Sequence, residues 1–377
     1  MDFGLREEEE AVVELARRIL EDHATNERKR ALEVAGTPYD GALWRALAQS
    51  NLLGTAIPEA YGGMDLGFVA LCLLVREVGR TVAPVPVYPA LVLGALPLAQ
   101  FGTEEQKEKW LHGIASGERI LTAALSEFES SDPRAPATRA ETRADGYRLS
   151  GIKTNVPYAE QASQILVPAR FDDGSIGLFF VEPNGEGVTL AAQSTPDAQP
   201  HSRIELTGAS VAADARLDPH GDGGSALRWL VDRATAARCM MQLGVTERAL
   251  EMTSQYSRDR IQFEHPIGSF QAVHQRAADA YINVEAVRLS ALEAVWRLSR
   301  DLPADEHVAV AKFWAAEGGQ SASTACQHLH GGIGIDIEYP LHRYFNWAVQ
   351  IEHDLGSARH QLDRLGRAIA ANGIPVA

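Results

Sequence analysis

The sequence has few cysteines, no long apolar run and a deficit of positive charge. Its three cysteines, Cys72, Cys239 and Cys326, lie far apart in apolar helical surroundings, which predicts buried free thiols in a reducing cytoplasm rather than disulfides or metal ligands. No apolar stretch approaches the length of a membrane span, and the N-terminus lacks the basic and apolar regions of a signal peptide. We therefore expect a soluble cytoplasmic protein that binds no metal and spans no membrane.

Acidic residues outnumber basic ones, with 50 aspartates and glutamates against 35 lysines and arginines, and the net charge is −15. A chain of this charge is not expected to bind nucleic acid or an anionic membrane through a general basic field. A local basic pocket for an anionic cofactor is still compatible with it. The length of 377 residues, of which 45% are hydrophobic, is enough to bury the cores of two or three domains.

Three zones of different periodicity follow one another along the chain. Up to residue 119 the apolar spacing is helical, and helices are predicted over residues 41–50, 67–80, 90–100 and 104–116. Residues 120–220 contain short β-rich runs, predicted as strands over residues 120–126, 147–152, 164–168, 177–181, 188–191 and 202–206. Beyond a glycine-rich linker at residues 218–224, long helices are predicted over residues 227–258, 273–300 and 304–331, as in an antiparallel bundle.

One stretch between two of the long helices, residues 260–271 (RIQFEHPIGSFQ), combines residue types that helix packing does not require. Arg260 offers a fixed cation for a pyrophosphate, and Phe263 offers an aromatic face for a flat ring. Gln262 and Gln271 supply amides for polar ring edges. The stretch therefore predicts a flat, phosphorylated ligand.

Four motifs in the same order resemble those of the acyl-CoA dehydrogenase family. They are residues 57–63 (IPEAYGG), residues 101–107 (FGTEEQK), residues 260–271, and residues 328–334 (HLHGGIG) followed by residues 338–340 (EYP). The resemblance covers essentially the whole chain. It implies an α+β multidomain fold with an N-terminal helical domain over residues 1–119, a middle β-barrel-like domain over 120–220 and a C-terminal four-helix-bundle domain over 221–377.

The resemblance also implies FAD held between subunits and an acyl-CoA substrate. In the family, a carboxylate base takes the α-proton of the thioester while FAD accepts the β-hydrogen as hydride. The cofactor-binding residues that match the motifs are Arg260, Gln262, Phe263, Ile267, Gln271, His328, Gly331 and Gly332. Electron-transfer flavoprotein is the electron acceptor that the resemblance implies.

The position of the catalytic base departs from the family pattern. The motif that usually contains the glutamate is residues 354–357 (DLGS) here, which places Leu355 at the base position. The alternative family position, on the first long C-terminal helix, is Ala234. Asp354 and Asp232 are the nearest candidate bases, although one or two steps along a helix turn a side chain by about 100° or 200°. The pattern favours solvated helix carboxylates over catalytic bases for both residues. Glu352 and Glu317 are weaker candidates still.

The middle zone departs as well. The tryptophan-containing segment that the family places beside the flavin is residues 155–157 (NVP), after residues 151–153 (GIK). Ser126 and Glu127 are retained, but the family's Gly-Ser-Asp is residues 130–132 (SSD). The lost segments are those expected against the isoalloxazine and the acyl-CoA, whereas the retained motifs contact FAD across a subunit interface.

Four hypotheses follow. The chain is a catalytic acyl-CoA dehydrogenase with a displaced base, or a non-catalytic subunit that completes the FAD site of a catalytic partner in a homo- or heterotetramer. Base-lacking subunits of this kind resemble those of actinobacterial steroid-CoA degradation, which suggests a bulky or steroid side-chain CoA. The third hypothesis is a flavin monooxygenase or acyl-CoA lyase on the same fold, and the fourth is a helical scaffold without a ligand. The asymmetry between lost and retained motifs favours the non-catalytic subunit.

Overall fold

A computed structural model describes residues 4–130, 132–218 and 221–373. Eleven α-helices occur in this part of the chain, six before the sheet and five after it. The first six are α1 (Glu7–His23), α2 (Asn26–Val34), α3 (Gly41–Gln49), α4 (Gly67–Thr81), α5 (Leu96–Phe101) and α6 (Glu104–Ala115), with a π-helical segment, Tyr88–Ala95, before α5. The last five are α7 (Gly223–Asp259), α8 (Gln271–Ser299), α9 (Asp305–His330), α10 (Leu341–His353) and α11 (Ala358–Asn372).

Local sequence explains where these helices begin and which face they bury. On α1 the buried residues Val12, Ala16 and Leu20 are spaced by four, so one stripe packs inward. Helix α6 begins at a capping box, in which the Thr103 hydroxyl accepts from the backbone N–H of Gln106 and the Gln106 side-chain oxygen accepts from the backbone N–H of Thr103. These features confirm the helical prediction for the first zone.

The middle of the chain forms one mixed sheet of eight strands. They are β1 (Leu121–Ala123), β2 (Arg139–Arg143), β3 (Gly146–Pro157), β4 (Gln164–Arg170), β5 (Ile176–Val181), β6 (Val188–Gln193), β7 (His201–Ala212) and β8 (Arg216–Leu217). The strand order is β6-β7-β3-β2-β4-β5-β8, and β1 pairs with β4 in parallel. The pairing of β3 with β7 shifts register between Lys153 and Val156, so the chain bulges at Asn155, which has a φ of 52°.

The C-terminal helices pack on one another around α9, which contacts α7, α8, α10 and α11. Between α7 and α8 lies a short hairpin of two strands, β9 (Ile261–Gln262) and β10 (His265–Pro266). The helix–sheet–helix order confirms the predicted fold class. The sequence pattern does not predict α2, α10, α11, β2, β8 or the β9–β10 hairpin. The linker residues Pro219 and His220, like Ser131, lie outside the described residues.

The two helical zones share a single hydrophobic core, while the sheet has a smaller core of its own. The junction is the crossing of α4 with α7, where the backbones approach closely at two glycines. A Cβ on Gly244 would lie 2.1 Å from the Arg76 carbonyl oxygen, and one on Gly79 would lie 2.3 Å from the Met241 carbonyl oxygen. Neither glycine can gain a side chain unless the helices separate.

We expect Gly244→Ala to lower the free energy of unfolding by about 2 kcal/mol. The added methyl group overpacks the α4–α7 contact, and this cost exceeds the stability that alanine adds over glycine within a helix. Urea denaturation followed by circular dichroism measures the change. Gly366→Ala is the matched control, since Gly366 lies inside α11 and its added Cβ would meet no described atom within 4 Å. The control should be neutral or more stable by up to about 1 kcal/mol. Equal effects of the two substitutions would contradict the tight crossing.

All three cysteines are buried free thiols, as predicted. Within residues 4–130, 132–218 and 221–373, no helix is both long and apolar enough to cross a lipid bilayer.

Candidate functional site

One of the two possible base positions lines a small region where the sheet meets the C-terminal helices, and the other is hydrogen-bonded to a residue that lines the same region. Leu355 follows α10 in a left-handed conformation with a φ of 56°, and it lines this region together with Tyr88. The Tyr88 hydroxyl lies 3.2 Å from the carbonyl oxygen of Ala234, the other base position. The structure therefore brings together the two positions at which the family pattern is broken.

A buried ion pair occupies this region. The Arg238 guanidinium, one helical turn after Ala234, lies 2.8 Å from the Asp354 carboxylate, and the side chains are 9% and 6% exposed. The guanidinium also stacks over the Tyr88 ring at 4.1 Å from its centroid. Burial raises the pKa of Tyr88 well above its usual range, so the phenol stays neutral. The pair and the stacked ring fill the space between α7 and the loop after α10.

Two amides fix the other carboxylate oxygen of Asp354. The Asn155 side chain donates to Oδ1 of Asp354 at 2.8 Å, and the Gln350 side chain donates to the same oxygen at 2.9 Å. Asn155 stands at the bulge in β3, where the family has its flavin-side segment, and its own N–H donates to Gln193 at 2.8 Å. Two departures from the family pattern, 199 residues apart, are thus hydrogen-bonded to each other.

The end of α10 that leads into Asp354 is held by a buried lysine. The Lys312 ammonium donates to the carbonyl oxygens of Ile351 at 2.7 Å and Glu352 at 3.0 Å, which would otherwise lack partners at the helix end. Burial lowers the pKa of Lys312 to about 8. This contact fixes the backbone from which Asp354 and Leu355 project.

The space that remains between these groups is small. A cavity of about 30 Å³ lies among Tyr88, Ser126, Arg238 and Leu355, enough for about two water molecules. A second cavity of about 310 Å³ lies on the other side of Leu355, lined in part by Arg134 and Arg364. A flavin ring and an acyl chain do not fit the first cavity.

Asp232, the other candidate base, lies among arginines. It pairs with Arg134 of the middle zone, and with Arg364 of α11 at 3.7 Å. Burial raises the pKa of the Asp232 carboxyl, while the charges of the two arginines oppose that rise. The two lesser carboxylates are Glu317, which is exposed, and Glu352, which is half-buried.

The residues expected to bind the cofactor lie on an exposed edge. Arg260 is exposed and forms no side-chain hydrogen bond or ion pair with any described residue. Phe263 is 86% exposed at the tip of the β9–β10 hairpin, where both Phe263 and Glu264 have positive φ, and it touches Phe270 edge-on at 6.3 Å. Gln262 and Gln271 are exposed, and Ile267 is half-buried. None of these residues lines either cavity beside Leu355.

The glycine motif starts where the end of α9 contacts the end of α7 that leads into the hairpin, because His330 stacks on Tyr256. Gly331 has a φ of 61°, and an added Cβ on Gly331 or Gly332 would meet no described atom within 4 Å, so the backbone there is open to approach. His328 is exposed one turn earlier. The loop that follows exposes Ile335 and Ile337 at 72% and 66%. The open backbone at Gly331 and Gly332 and the Arg260 side chain, unpaired among the described residues, are suited to a cofactor that binds from outside this chain. The exposed apolar side chains are suited to a protein partner.

The fold and these motifs define a flavin-dependent acyl-CoA dehydrogenase architecture. Residues 6–118 match the N-terminal domain of acyl-CoA dehydrogenases, and residues 221–370 match the C-terminal domain. The chain belongs to the acyl-CoA dehydrogenase family, whose members are FAD-dependent oxidoreductases. This confirms the resemblance stated from the sequence.

Several relatives match over nearly their full length. Acyl-CoA dehydrogenase FadE27 of Mycobacterium tuberculosis is 39% identical over 98% of this chain and 99% of its own. The ChsE4-ChsE5 complex of Mycobacterium tuberculosis contains a chain that is 39% identical, with a TM-score of 0.93 and full coverage of both chains. A variant of the steroid ACAD Tcur3481-Tcur3483 is 44% identical, with a TM-score of 0.90 over 97% of this chain and 98% of that one.

The sequence motifs do not indicate three residues of this site, which are Arg238, Gln350 and Tyr88. A signal for Arg238 exists, because it is a charged residue within the apolar stretch of α7 from residue 234 to 241. A buried charge in such a stretch requires a partner of opposite sign. Identifying Asp354 as that partner requires the fold.

Proposed function

We propose that this chain is the non-catalytic subunit of a hetero-oligomeric acyl-CoA dehydrogenase and completes the FAD site of a catalytic partner. The Arg238–Asp354 ion pair carries the proposal, because it occupies the region between the two possible base positions. Neither Leu355 nor Ala234 can take a proton, and the cavity of about 30 Å³ that Leu355 lines with Arg238 and Asp354 is too small for a thioester substrate.

Both candidate bases have structural roles in this proposal. Asp354 neutralises buried Arg238, and Asp232 joins the middle zone to α11 through Arg134 and Arg364. A general base must reach the proton that it abstracts. Asp354 borders only the cavity of about 30 Å³, and Asp232 lines neither of the two cavities beside Leu355. We therefore assign the α-proton abstraction to a carboxylate of the partner.

The contribution of this chain is the exposed edge formed by the hairpin and the glycine turn. Arg260 would pair with the FAD pyrophosphate, because a guanidinium matches phosphate oxygens in charge and geometry. Phe263 would cover the adenosine side, and the open backbone at Gly331 and Gly332 would permit close approach of the cofactor. Bound FAD supplies the hydride-accepting chemistry of the dehydrogenation.

The exposed apolar residues of α8 support a subunit interface beside this edge. Tyr281, Ile282 and Leu289 are 57%, 63% and 56% exposed on one helix, which is unusual for large apolar side chains on a monomer. The chain matched in the ChsE4-ChsE5 structure belongs to a complex of two named subunits. By that likeness we propose a heterotetramer that acts on a bulky or steroid acyl-CoA and passes electrons to electron-transfer flavoprotein.

Co-expression tests the proposal directly. We expect the chain purified alone to be colourless, and the chain purified with an acyl-CoA dehydrogenase subunit that retains the base glutamate to be yellow and bleached by acyl-CoA. Flavin absorbance with and without a steroid acyl-CoA is the measurement. In the active complex, Asp232→Asn in this chain should leave turnover unchanged. A yellow protein that bleaches when made alone would refute the non-catalytic assignment.

A further inference from the structure

His330, the last residue of α9, is enclosed by two aromatic rings. It is 4% exposed and stacks on Tyr256 with ring centroids 4.5 Å apart and an interplanar angle of 17°. The Tyr339 ring lies 5.3 Å away on another side of the imidazole. The imidazole therefore joins the end of α7 to the segment that leads into α10.

Two hydrogen bonds determine the tautomer of this imidazole. Nδ1 lies 2.9 Å from the Cys326 carbonyl oxygen, and a carbonyl only accepts, so Nδ1 carries the proton. Nε2 then has a free lone pair and accepts from the Tyr339 hydroxyl at 3.1 Å. Burial lowers the pKa of His330, which favours this neutral form. Both ring nitrogens and one face of His330 thus have defined partners.

The segments that His330 joins are those proposed to contact FAD. Tyr256 precedes Arg260 by one helical turn, and its carbonyl oxygen accepts from the Arg260 N–H at 2.9 Å. Gly331 follows His330 directly, at the start of the open glycine turn. The hairpin that begins at Arg260 and the turn that begins at Gly331 thus both adjoin one buried ring.

We propose that His330 is a positioning residue that fixes the distance between the Arg260 hairpin and the Gly331–Gly332 turn, so that both can contact one cofactor. This inference rests on the proposed function, because it assumes that both segments meet the same FAD. His330 itself does not contact the cofactor. It acts through Tyr256 on one side and through the backbone of the glycine turn on the other.

A double-mutant cycle in the hetero-oligomer distinguishes positioning from a general structural role. FAD is removed and titrated back into the complex, and binding is followed by the loss of FAD fluorescence. His330→Phe keeps a stacked ring but removes both hydrogen bonds, and should weaken FAD binding about fivefold to tenfold. In the Arg260→Ala background the same substitution should change binding by less than about twofold, because the contact that it positions is already absent.

Each outcome has one meaning. Equal weakening by His330→Phe in both backgrounds, or no weakening in the parent, overturns the positioning role. If Arg260→Ala leaves FAD binding unchanged, the proposed function fails instead. Size-exclusion chromatography checks that each complex assembles. Should His330→Phe prevent assembly, Tyr339→Phe gives the same test, since it removes only the hydroxyl that donates to His330.

Discussion

Replacing Arg238 by methionine should lower the free energy of unfolding of this chain by about 3 kcal/mol or more. The substitution leaves the Asp354 carboxylate buried without its cation, and removing one partner of a buried ion pair typically costs about 3–5 kcal/mol. The amides of Asn155 and Gln350 would still donate to Asp354, but they cannot neutralise its charge. Urea denaturation of the isolated chain measures the loss.

A second substitution should reverse most of that loss. In Arg238→Met/Asp354→Leu both charges are absent, and apolar replacement of a whole buried pair is often close to neutral. Asn155 and Gln350 can still hydrogen-bond to each other, as they do at 3.2 Å. Arg228→Met is the control on the same helix, because its side chain is 58% exposed and the effect should stay within about 0.5 kcal/mol. A double variant no more stable than Arg238→Met would contradict the pairing.

Replacing Arg260 by alanine should weaken FAD binding by the hetero-oligomer about tenfold to a hundredfold. A hydrogen bond to a charged group contributes about 1.5–3 kcal/mol, and Arg260 would give its charge to the pyrophosphate. The stability of the isolated chain should hardly change, because the Arg260 side chain has no partner among the described residues. Titration of FAD into the cofactor-free complex measures the affinity.

Arg258→Ala provides the matched control for that experiment. Arg258 is an exposed arginine two residues earlier, and its guanidinium is bound to Ser254 at 3.0 Å and Gln255 at 2.8 Å within its own helix. Its removal alters the net charge by the same amount but should leave FAD affinity within about twofold, since distant surface charges are screened by salt. Equal losses in the two variants would mean that Arg260 acts only through general charge.

The sequence predicts the helix–sheet–helix order well because periodicity is a local property. It predicts α6 almost to the residue, since Thr103 caps the helix and a turn follows it. It does not predict β2, whose burial alternates little and whose place depends on pairing with β3. Helix α11 was missed for a similar reason, because much of its surface is exposed and its position depends on α9.

In the candidate site too, local features can be predicted from the sequence, whereas contacts between distant segments cannot. Leu355 and Ala234 were found by counting along the chain, so the absence of a base at those positions was visible without a structure. What replaces the base was not visible. Arg238 and Asp354 are separated by more than a hundred residues, and only the packing of α7 against the loop after α10 brings them within 2.8 Å. The assignment of Arg260, Gln262, Phe263, Ile267, Gln271, His328, Gly331 and Gly332 to a cofactor stays a prediction.

The crossing of α4 with α7 has a consequence for how the molecule gains and loses structure. Because the helices before and after the sheet share one core, they are expected to form as a single cooperative unit, although about a hundred residues of sheet separate them in the chain. Its assembly must wait for contacts between distant segments, which slows folding. When only α1 to α6 have been synthesised, the shared core still lacks the residues that α7 to α10 contribute to it.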